Sequence, residues 1–543
     1  MKNVLLSIMT LAAMAVCCVS CEKNSTPSPP QGNYEVNGAY YKPSTGTDMT
    51  CEFTHIVKED WNSEIDPQDV TISYTVPETV EIDGKRYTVV SIGSHAFNSF
   101  YKMKSVTLPK TITSIGDQAF PGCVSLTSID IPESVTSIGD GAFHGCSALS
   151  SIKIPANVSR LGSGVFSNCT SLESITLSEG LASLGDGMFE GCTSLKTITL
   201  PEGLTSLGNM VFGGCTSLES ITLPASLAQI GQACFSECRN LMSLRVLSKG
   251  LNLENLGLYD CRNLTSVELH CKEIGKNAFA GMEKLTELIL GEGVESIGEN
   301  AFSGCSKLAS ISFPSSLTTI GNYAFGECKS LTSIEIPASV TNMGENVFQG
   351  CTGLTELILG EGVETIGEGA FSSCSNLTSV TLSCKEIGQG VFSYMSKLTN
   401  VVLNEGVEVI GDHAFQYCSK ITSINFPSTL KLIEGYAFNG CSGIENITIP
   451  DGVEEIGEGA FWDCYKMKTL TLGSGIKTIG TSAFQGCSRL TDIYCRATDI
   501  PETGWNPFDW EAYEKITLHV PLASLANYKA HEEWGQFKNI VAM

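Results

Sequence analysis

Apolar and polar positions recur along this chain with a period of 23 residues. The most regular part of each period reads Ile-Gly-x-x-x-Phe-x-x-Cys. Its phenylalanine stands at positions 97, 120, 143, 166, 189, 212, 235, 279, 302, 325, 348, 371, 392, 415, 438, 461 and 484. Leu258 fills the one missing position, and the intervals 258–279 and 371–392 are only 21 residues long. A fixed period of this length predicts a solenoid of stacked repeats.

Each period predicts two short extended segments followed by a turn. In residues 126–131 the pattern Leu-x-x-Ile-x-Ile places alternate side chains on one face of a strand, which Pro132 ends. Residues 135–138 form a second short extended segment. Gly139 is expected to turn sharply at positive φ, and Asp140 to cap a short helical turn. No single period can bury its own apolar side chains, so neighbouring coils must share one interior.

These elements predict a β-rich solenoid of the α/β leucine-rich-repeat class. It would have about 18 coils of 23 residues, with a cap over each end of the apolar interior. If the coil spacing equals the strand spacing of about 4.8 Å, the rod is on the order of 80 Å long.

The repeat unit Leu-x-x-Ile-x-Ile-Pro-x-x-Val-x-x-Ile-Gly-x-x-Ala-Phe-x-x-Cys resembles the BspA-like leucine-rich repeats of bacterial surface proteins, over about residues 91–494. Residues 77–87 and 516–534 are similar to the family's entry into the first coil and exit from the last. The resemblance implies binding of host or bacterial surface proteins, such as matrix glycoproteins. The predicted segments are a lipoprotein signal peptide (1–20), a flexible tether (21–34), an N-terminal cap (35–90), the solenoid (91–494) and a C-terminal cap (495–543).

The N-terminus predicts export and lipid anchoring. An apolar run over residues 4–16 is followed by Cys-Cys-Val-Ser-Cys at 17–21, and it is too short to span a bilayer. Small residues before a cysteine resemble the lipobox of bacterial lipoproteins, although Cys18 stands where leucine is usual. The resemblance implies lipidation of Cys21 and a place on the outer membrane or cell surface. An ordinary secretory signal, giving a secreted or periplasmic protein, is the alternative.

Charge and composition exclude several function classes. The chain has 33 Lys and Arg against 58 Asp and Glu, a formal net charge of −25. Nucleic acids and anionic lipid surfaces both require basic patches, so neither is an expected partner, and the only membrane contact expected is the lipid anchor. The charge also keeps a long rod soluble.

Fifteen of the 23 cysteines stand three residues after the repeat phenylalanine or Leu258. Many cysteines in an exported protein usually indicate disulfides, but one cysteine per coil, replaced by Met282 and Met395 in two coils, favours buried free thiols that act as small apolar groups. No His or Cys cluster has metal-ligand spacing, and no nucleophile elbow, phosphate loop or dinucleotide motif is present. We therefore expect no enzyme, no cofactor and no metal. Calcium binding along the acidic turn positions, against simple capping and solubility, stays open.

The surface therefore has to carry the function. The outward strand positions, eight and ten residues after the phenylalanine, are mostly Ser and Thr. Among the residues that interrupt this polar surface we single out two charged and three apolar ones, and such interruptions can mark a contact site or a local repacking of the strand. The candidate ligand contacts on this surface are Arg245, Glu268, Ile289, Ile358 and Val402.

Aromatic residues gather near the C-terminal end, where Trp505 and Trp510 are the candidate contacts for a sugar or a partner, with a cap over the last coil as the alternative. The sequence thus favours a cell-surface scaffold or adhesin for protein or glycoprotein ligands. The alternatives are a glycan-binding accessory lipoprotein of a nutrient-uptake system and a structural spacer, although we expect no second domain that a spacer would hold.

Overall fold

The computed structural model describes residues 32–45, 47–56, 72–98, 100–253, 256–360 and 362–543. The signal peptide, Cys21 and most of the tether lie outside these residues. The chain forms a solenoid of about 19 turns of about 23 residues, which confirms the predicted fold class. Each coil passes through three surfaces that we call the strand face, the second face and the turn face.

The strand face is built from short parallel strands in register, so that Ser151 pairs with Ser174 and Lys153 with Thr176. Its strands are Ile72–Thr75, Met103–Thr107, Ser128–Asp130, Ser151–Lys153, Ser174–Thr176, Ser220–Leu223, Ser243–Val246, Ser266–Leu269, Glu287–Leu290, Ser333–Ile336, Glu356–Leu359, Ser379–Leu382, Asn400–Leu403, Asn446–Thr448, Thr469–Leu472, Asp492–Cys495, Thr517–Val520 and Asn539–Ala542. The ladder therefore continues beyond residues 91–494 into both segments predicted to be caps.

The second face is a ladder of mostly two-residue parallel strands. Its strands are Lys85–Ile92, Ser114–Ile115, Ser137–Ile138, Arg160–Leu161, Ser183–Leu184, Ser206–Leu207, Gln229–Ile230, Glu273–Ile274, Ser296–Ile297, Thr319–Ile320, Asn342–Met343, Thr365–Ile366, Glu386–Ile387, Val409–Ile410, Leu432–Ile433, Glu455–Ile456, Thr478–Ile479 and Glu502–Thr503. At the N-terminal end, the strands Tyr34–Val36, Ala39–Pro43, Thr50–Ile56 and Thr79–Ile82 close the first coil.

The glycine that follows the second face is required by a close approach between coils. The positive φ expected of Gly139 is not found; that expectation is wrong. A Cβ on Gly139 would lie 2.5 Å from the backbone nitrogen of Asp117 and 2.7 Å from the carbonyl carbon of Gly116, both in the preceding coil. The left-handed residue comes two positions later, at Gly141, with a φ of 58°.

The turn face consists of consecutive turns, such as those over residues 140–146, and Asp140 begins no helix there. Instead, its Oδ1 accepts a hydrogen bond from the backbone N–H of Ser163 in the next coil at 2.8 Å. The N–H of Asp140 itself donates to Oδ1 of Asp117 at 2.9 Å. The expected helix cap is therefore a ladder between coils, which continues at other Asp and Asn residues of the same position: Asp186, Asn209 and Asn322.

The core is a column of stacked phenylalanine rings. Ring centroids in neighbouring coils are between 4.6 Å apart, for Phe97 and Phe120, and 5.8 Å apart, for Phe166 and Phe189. The column extends one ring beyond the repeat at its C-terminal end, where Phe508 stacks on Phe484 at 5.5 Å. At the N-terminal end, Phe53 stacks on Phe97 at 5.1 Å.

The twenty cysteines of the described residues are all buried and free. This confirms the prediction for the fifteen that stand three residues after the repeat phenylalanine or Leu258, which we call the ladder cysteines. Each of the fifteen ladder cysteines also donates its S–H to the phenylalanine carbonyl of the preceding coil, with Sγ···O distances from 3.1 to 3.4 Å. The thiol is therefore an apolar filler and also a hydrogen-bond donor, which explains cysteine at a position where alanine would leave a gap.

The C-terminal coil ends in short helices, Ala512–Lys515 and Leu525–Ala530, and in single 3₁₀ turns at Leu522–Ser524 and Trp534–Gln536. A further 3₁₀ turn, Leu258–Asp260, replaces the usual turns where Leu258 replaces phenylalanine. Buried Trp534 donates its indole N–H to the carbonyl of Pro501 at 3.0 Å. None of the helices in the described part of the chain is long and apolar enough to cross a bilayer.

Candidate functional site

Three apolar side chains project from the strand face, where most other coils carry hydroxyl-bearing or charged side chains. Ile289, Ile358 and Val402 are 45%, 49% and 38% exposed. They do not form one patch: two coils separate Ile289 from Ile358, and the Thr381 coil separates Ile358 from Val402. At about 4.8 Å per coil, they are spaced by roughly 14 and 10 Å along the rod.

The two charged candidates on the strand face neutralise each other. Arg245 and Glu268 are register partners in adjacent coils, and Arg245 Nε donates to Oε2 of Glu268 at 2.6 Å. The second carboxylate oxygen of Glu268 lies 3.0 Å from Nε2 of His270. The hydrogen bond from Arg245, followed by that from His270, lowers the pKa of Glu268. Ile289 is the register partner of Glu268 in the next coil, so these candidates share one site.

The C-terminal aromatic residues lie in three different parts of the structure. Trp534 is buried and belongs to the cap, as the alternative interpretation expects of it. Trp505 and Trp510 are 75% and 78% exposed, on the turn segment that contains Phe508. Tyr494 lies on the strand face and stacks on His519 at a centroid distance of 4.2 Å. Trp505 and Trp510 therefore remain available to a ligand, on a different face from the strand candidates.

The turn face carries a group of exposed and half-buried aromatic rings that the sequence patterns did not single out. We call it the aromatic strip, and it consists of Tyr394, His413, Tyr417, Tyr436 and Trp462 in four consecutive coils. The rings of Tyr394 and Tyr417 lie 5.2 Å apart, and those of His413 and Tyr436 stack at 5.0 Å. Trp462 follows Tyr436 at 6.1 Å. Aromatic residues one or two positions from the core phenylalanine in consecutive coils were the signal that could have revealed this group.

Carboxylates border the aromatic strip. The hydroxyl of Tyr436 donates to Oε1 of Glu458 at 2.6 Å, and this hydrogen bond raises the pKa of Tyr436. Oδ2 of Asp412 lies 3.4 Å from Nε2 of His413. In the part of the chain that the structure describes, no group of three or more His, Cys, Asp or Glu side chains could hold a metal ion.

The fold and these surfaces are those of a leucine-rich-repeat solenoid. The repeated side chains fill its interior, and the candidate contact residues lie on its surface. The model of the BspA type leucine rich repeat region matches residues 90–219, 182–309, 272–399 and 385–504. These matches span more than half of the chain, which therefore belongs to the BspA-type leucine-rich-repeat family. Proteins of this family are non-enzymatic scaffolds that are generally surface-associated and bind proteins.

Solved structures of similar proteins come from several bacteria. A leucine-rich repeat protein from Bacteroides ovatus is 26% identical, with 81% of this chain and 94% of that chain covered and a TM-score of 0.40. A leucine rich cell surface protein from Faecalibacterium prausnitzii is 23% identical, with 87% and 96% covered and a TM-score of 0.37. The pneumococcal vaccine antigen PcpA is 22% identical, with 75% and 94% covered and a TM-score of 0.35. A comparison with curated proteins gave no match.

Proposed function

We propose that this chain is a cell-surface adhesin that recognises host or bacterial surface proteins through exposed departures from its repeat. The observation that carries the proposal is the exposure of Ile289, Ile358 and Val402 on a face whose other outward positions are mainly hydroxyl, amide and charged side chains. Exposed apolar groups on a polar surface are typical of contact sites. A rod with separated contacts suits several weak attachments to one partner, whose affinities combine when they bind together.

Replacing Ile289, Ile358 and Val402 by threonine should weaken binding to the partner at least tenfold without changing the fold, because threonine already occupies this position in other coils. The measurement is surface plasmon resonance of the full chain and the variant against a panel of matrix glycoproteins, bacterial surface proteins and oligosaccharides. Thr176→Ser, a change at the same strand position far from these residues, is the control.

Absence of saturable binding to every protein of the panel would contradict the adhesin proposal. Saturable binding to an oligosaccharide that is lost when Trp505 and Trp510 are replaced by alanine would instead favour the alternative, a glycan-binding accessory lipoprotein. The exposure of both indole rings is the observation that favours this second candidate.

We also propose that the protein is held at the outer membrane or cell surface by lipid on Cys21. A diacylglyceryl group with an amide-linked acyl chain would supply the more than one lipid chain that stable anchoring needs. Cys21→Ala should move the protein from the membrane fraction to the soluble fraction of its host cell. Cys18→Ala is the matched control and should leave the protein in the membrane fraction; continued membrane partition of the Cys21→Ala variant would contradict the anchor.

A further inference from the structure

The aromatic strip occupies backbone positions that do not favour large side chains. Tyr394, Tyr417 and Tyr436 have φ values of 61°, 58° and 52°, in the left-handed region. Other coils often carry glycine or asparagine at these positions, for example Gly145 and Asn300, and these residues adopt this conformation most readily, but larger residues such as Met210 and Glu237 also occur. The backbone conformation does not require tyrosine here, so the recurrence of aromatic residues in neighbouring coils has another reason.

The neighbouring coils leave room for the rings. A Cβ on Gly440 would lie 2.5 Å from Cδ1 of Tyr417, and a Cβ on Gly459 would lie 2.5 Å from Cε1 of Tyr436. Each ring therefore leans over a glycine of the next coil. Tyr394 and Tyr417 remain about half exposed, so part of their ring surface is open to a ligand.

Carboxylates stand beside the rings of the strip, and an ionised carboxylate only accepts hydrogen bonds. Since Tyr436 donates its proton to Glu458, its oxygen keeps lone pairs for a further donor. Asp463, on the same turn as Trp462, is exposed. Neither Glu458 nor Asp463 has a Lys or Arg partner within 4.0 Å among the described residues.

We propose that the aromatic strip binds an arginine-bearing polypeptide segment of the partner protein. A guanidinium group has five N–H donors and no acceptor, so it matches the carboxylates of Glu458 and Asp463. Its planar face stacks on tyrosine and tryptophan rings, which the compact ammonium of lysine does less well. Sugar hydroxyls can also use the tyrosine hydroxyls and the indole N–H of Trp462, but they carry no charge to match the two carboxylates. The inference rests on the proposed function, because it names the chemistry by which a protein partner docks.

The test is isothermal titration calorimetry of the full chain at 0.15 M salt with synthetic peptides of six Gly-Arg, six Gly-Lys or six Gly-Gln repeats. The strip variant combines Tyr394→Asn, Tyr417→Asn, Tyr436→Asn and Trp462→Gln, which introduce residue types that other coils carry at the same positions and leave the net charge unchanged. The control is Tyr323→Asn, because Tyr323 has the same left-handed conformation, with a φ of 55°, outside the strip.

We expect the Gly-Arg peptide to bind more tightly than the Gly-Lys peptide, and the Gly-Gln peptide not to bind. The strip variant should lose at least tenfold in affinity for the Gly-Arg peptide, and the control less than twofold. Glu458→Gln with Asp463→Asn should also lose at least fivefold.

Equal affinities of the strip variant and the unmodified chain would overturn the proposal, because the attraction would then come from the diffuse acidic surface. Saturable binding of xylohexaose or chitohexaose that the strip variant loses would overturn it in favour of a glycan. A third outcome is that a protein of the panel binds the strip variant normally but fails to bind the variant with threonine at Ile289, Ile358 and Val402. In that case the adhesin proposal stands and this inference fails.

Discussion

Replacing Gly139 by alanine is expected to destabilise the protein by about 3 kcal/mol. The added Cβ would lie 2.5 Å from the nitrogen of Asp117 and 2.7 Å from the carbonyl carbon of Gly116. These are backbone atoms of the preceding coil, so the strain cannot be relieved by rotating a side chain. Separating the two coils would weaken the second-face ladder at Ser137–Ile138 and the stacking beneath it.

Substitutions at two other glycines distinguish a steric clash between coils from an unfavourable backbone conformation. Gly141→Ala places a side chain at a φ of 58° and is expected to cost only about 1 kcal/mol, since one residue in the left-handed region carries that strain. Gly250→Ala adds a Cβ that meets no atom within 4 Å and should change stability by less than about 0.5 kcal/mol. The measurement is urea denaturation followed by circular dichroism. A larger loss for Gly141→Ala than for Gly139→Ala would contradict the account.

Alkaline pH should destabilise the solenoid steeply, because its buried thiols ionise only when it unfolds. Burial raises the pKa of Cys169, Cys305 and Cys351 to about 12, whereas an unfolded thiol ionises near pH 8.5. A group with a raised folded-state pKa contributes stability that is complete below its unfolded pKa and is lost as pH rises toward its folded pKa. Each such thiol should therefore cost about 1.4 kcal/mol per pH unit between about pH 9 and 12.

The urea midpoint should be nearly constant from pH 6.5 to 8 and fall sharply from pH 9 to 11. Replacing Cys169, Cys305, Cys351 and Cys418 by alanine lowers stability at neutral pH, because cavities form and the S–H donors are lost. At alkaline pH, the replacement should also reduce the slope of the free energy of unfolding against pH by about 5 kcal/mol per pH unit, where these coils unfold together. An unchanged slope would show that other groups, such as tyrosines, dominate the alkaline transition.

The sequence predicted the solenoid because a period of 23 residues has few structural solutions, and the strand face followed from its alternation. It could not distinguish two uses of glycine, since a close approach at Gly139 and a positive φ at Gly141 both favour the same residue. The ring of Phe508 was missed because its interval from Phe484 is 24 residues and Thr503 replaces the repeat isoleucine.

The candidate sites were predicted unevenly for a physical reason. In a strand, alternation alone fixes which side chains point outward, so Ile289, Ile358 and Val402 could be placed before the structure was known. In consecutive turns no simple period determines orientation. The ring contacts of Tyr394 with Tyr417 and of His413 with Tyr436 were therefore visible only in three dimensions. The S–H···O hydrogen bonds of the ladder cysteines could not be predicted either. The sequence pattern indicates that these residues are buried, but it does not identify their hydrogen-bond acceptors.

The central claim is that departures from the repeat on its surface, and not the repeat itself, recognise the partner. One measurement tests it directly: cell-surface binding of the full chain compared with a variant in which the strand-face residues Ile289, Ile358 and Val402 become threonine and the aromatic strip carries its four substitutions. The account predicts that this variant keeps the circular dichroism spectrum and melting temperature of the unmodified chain and loses its saturable binding. A folded variant that binds with unchanged affinity would contradict the claim.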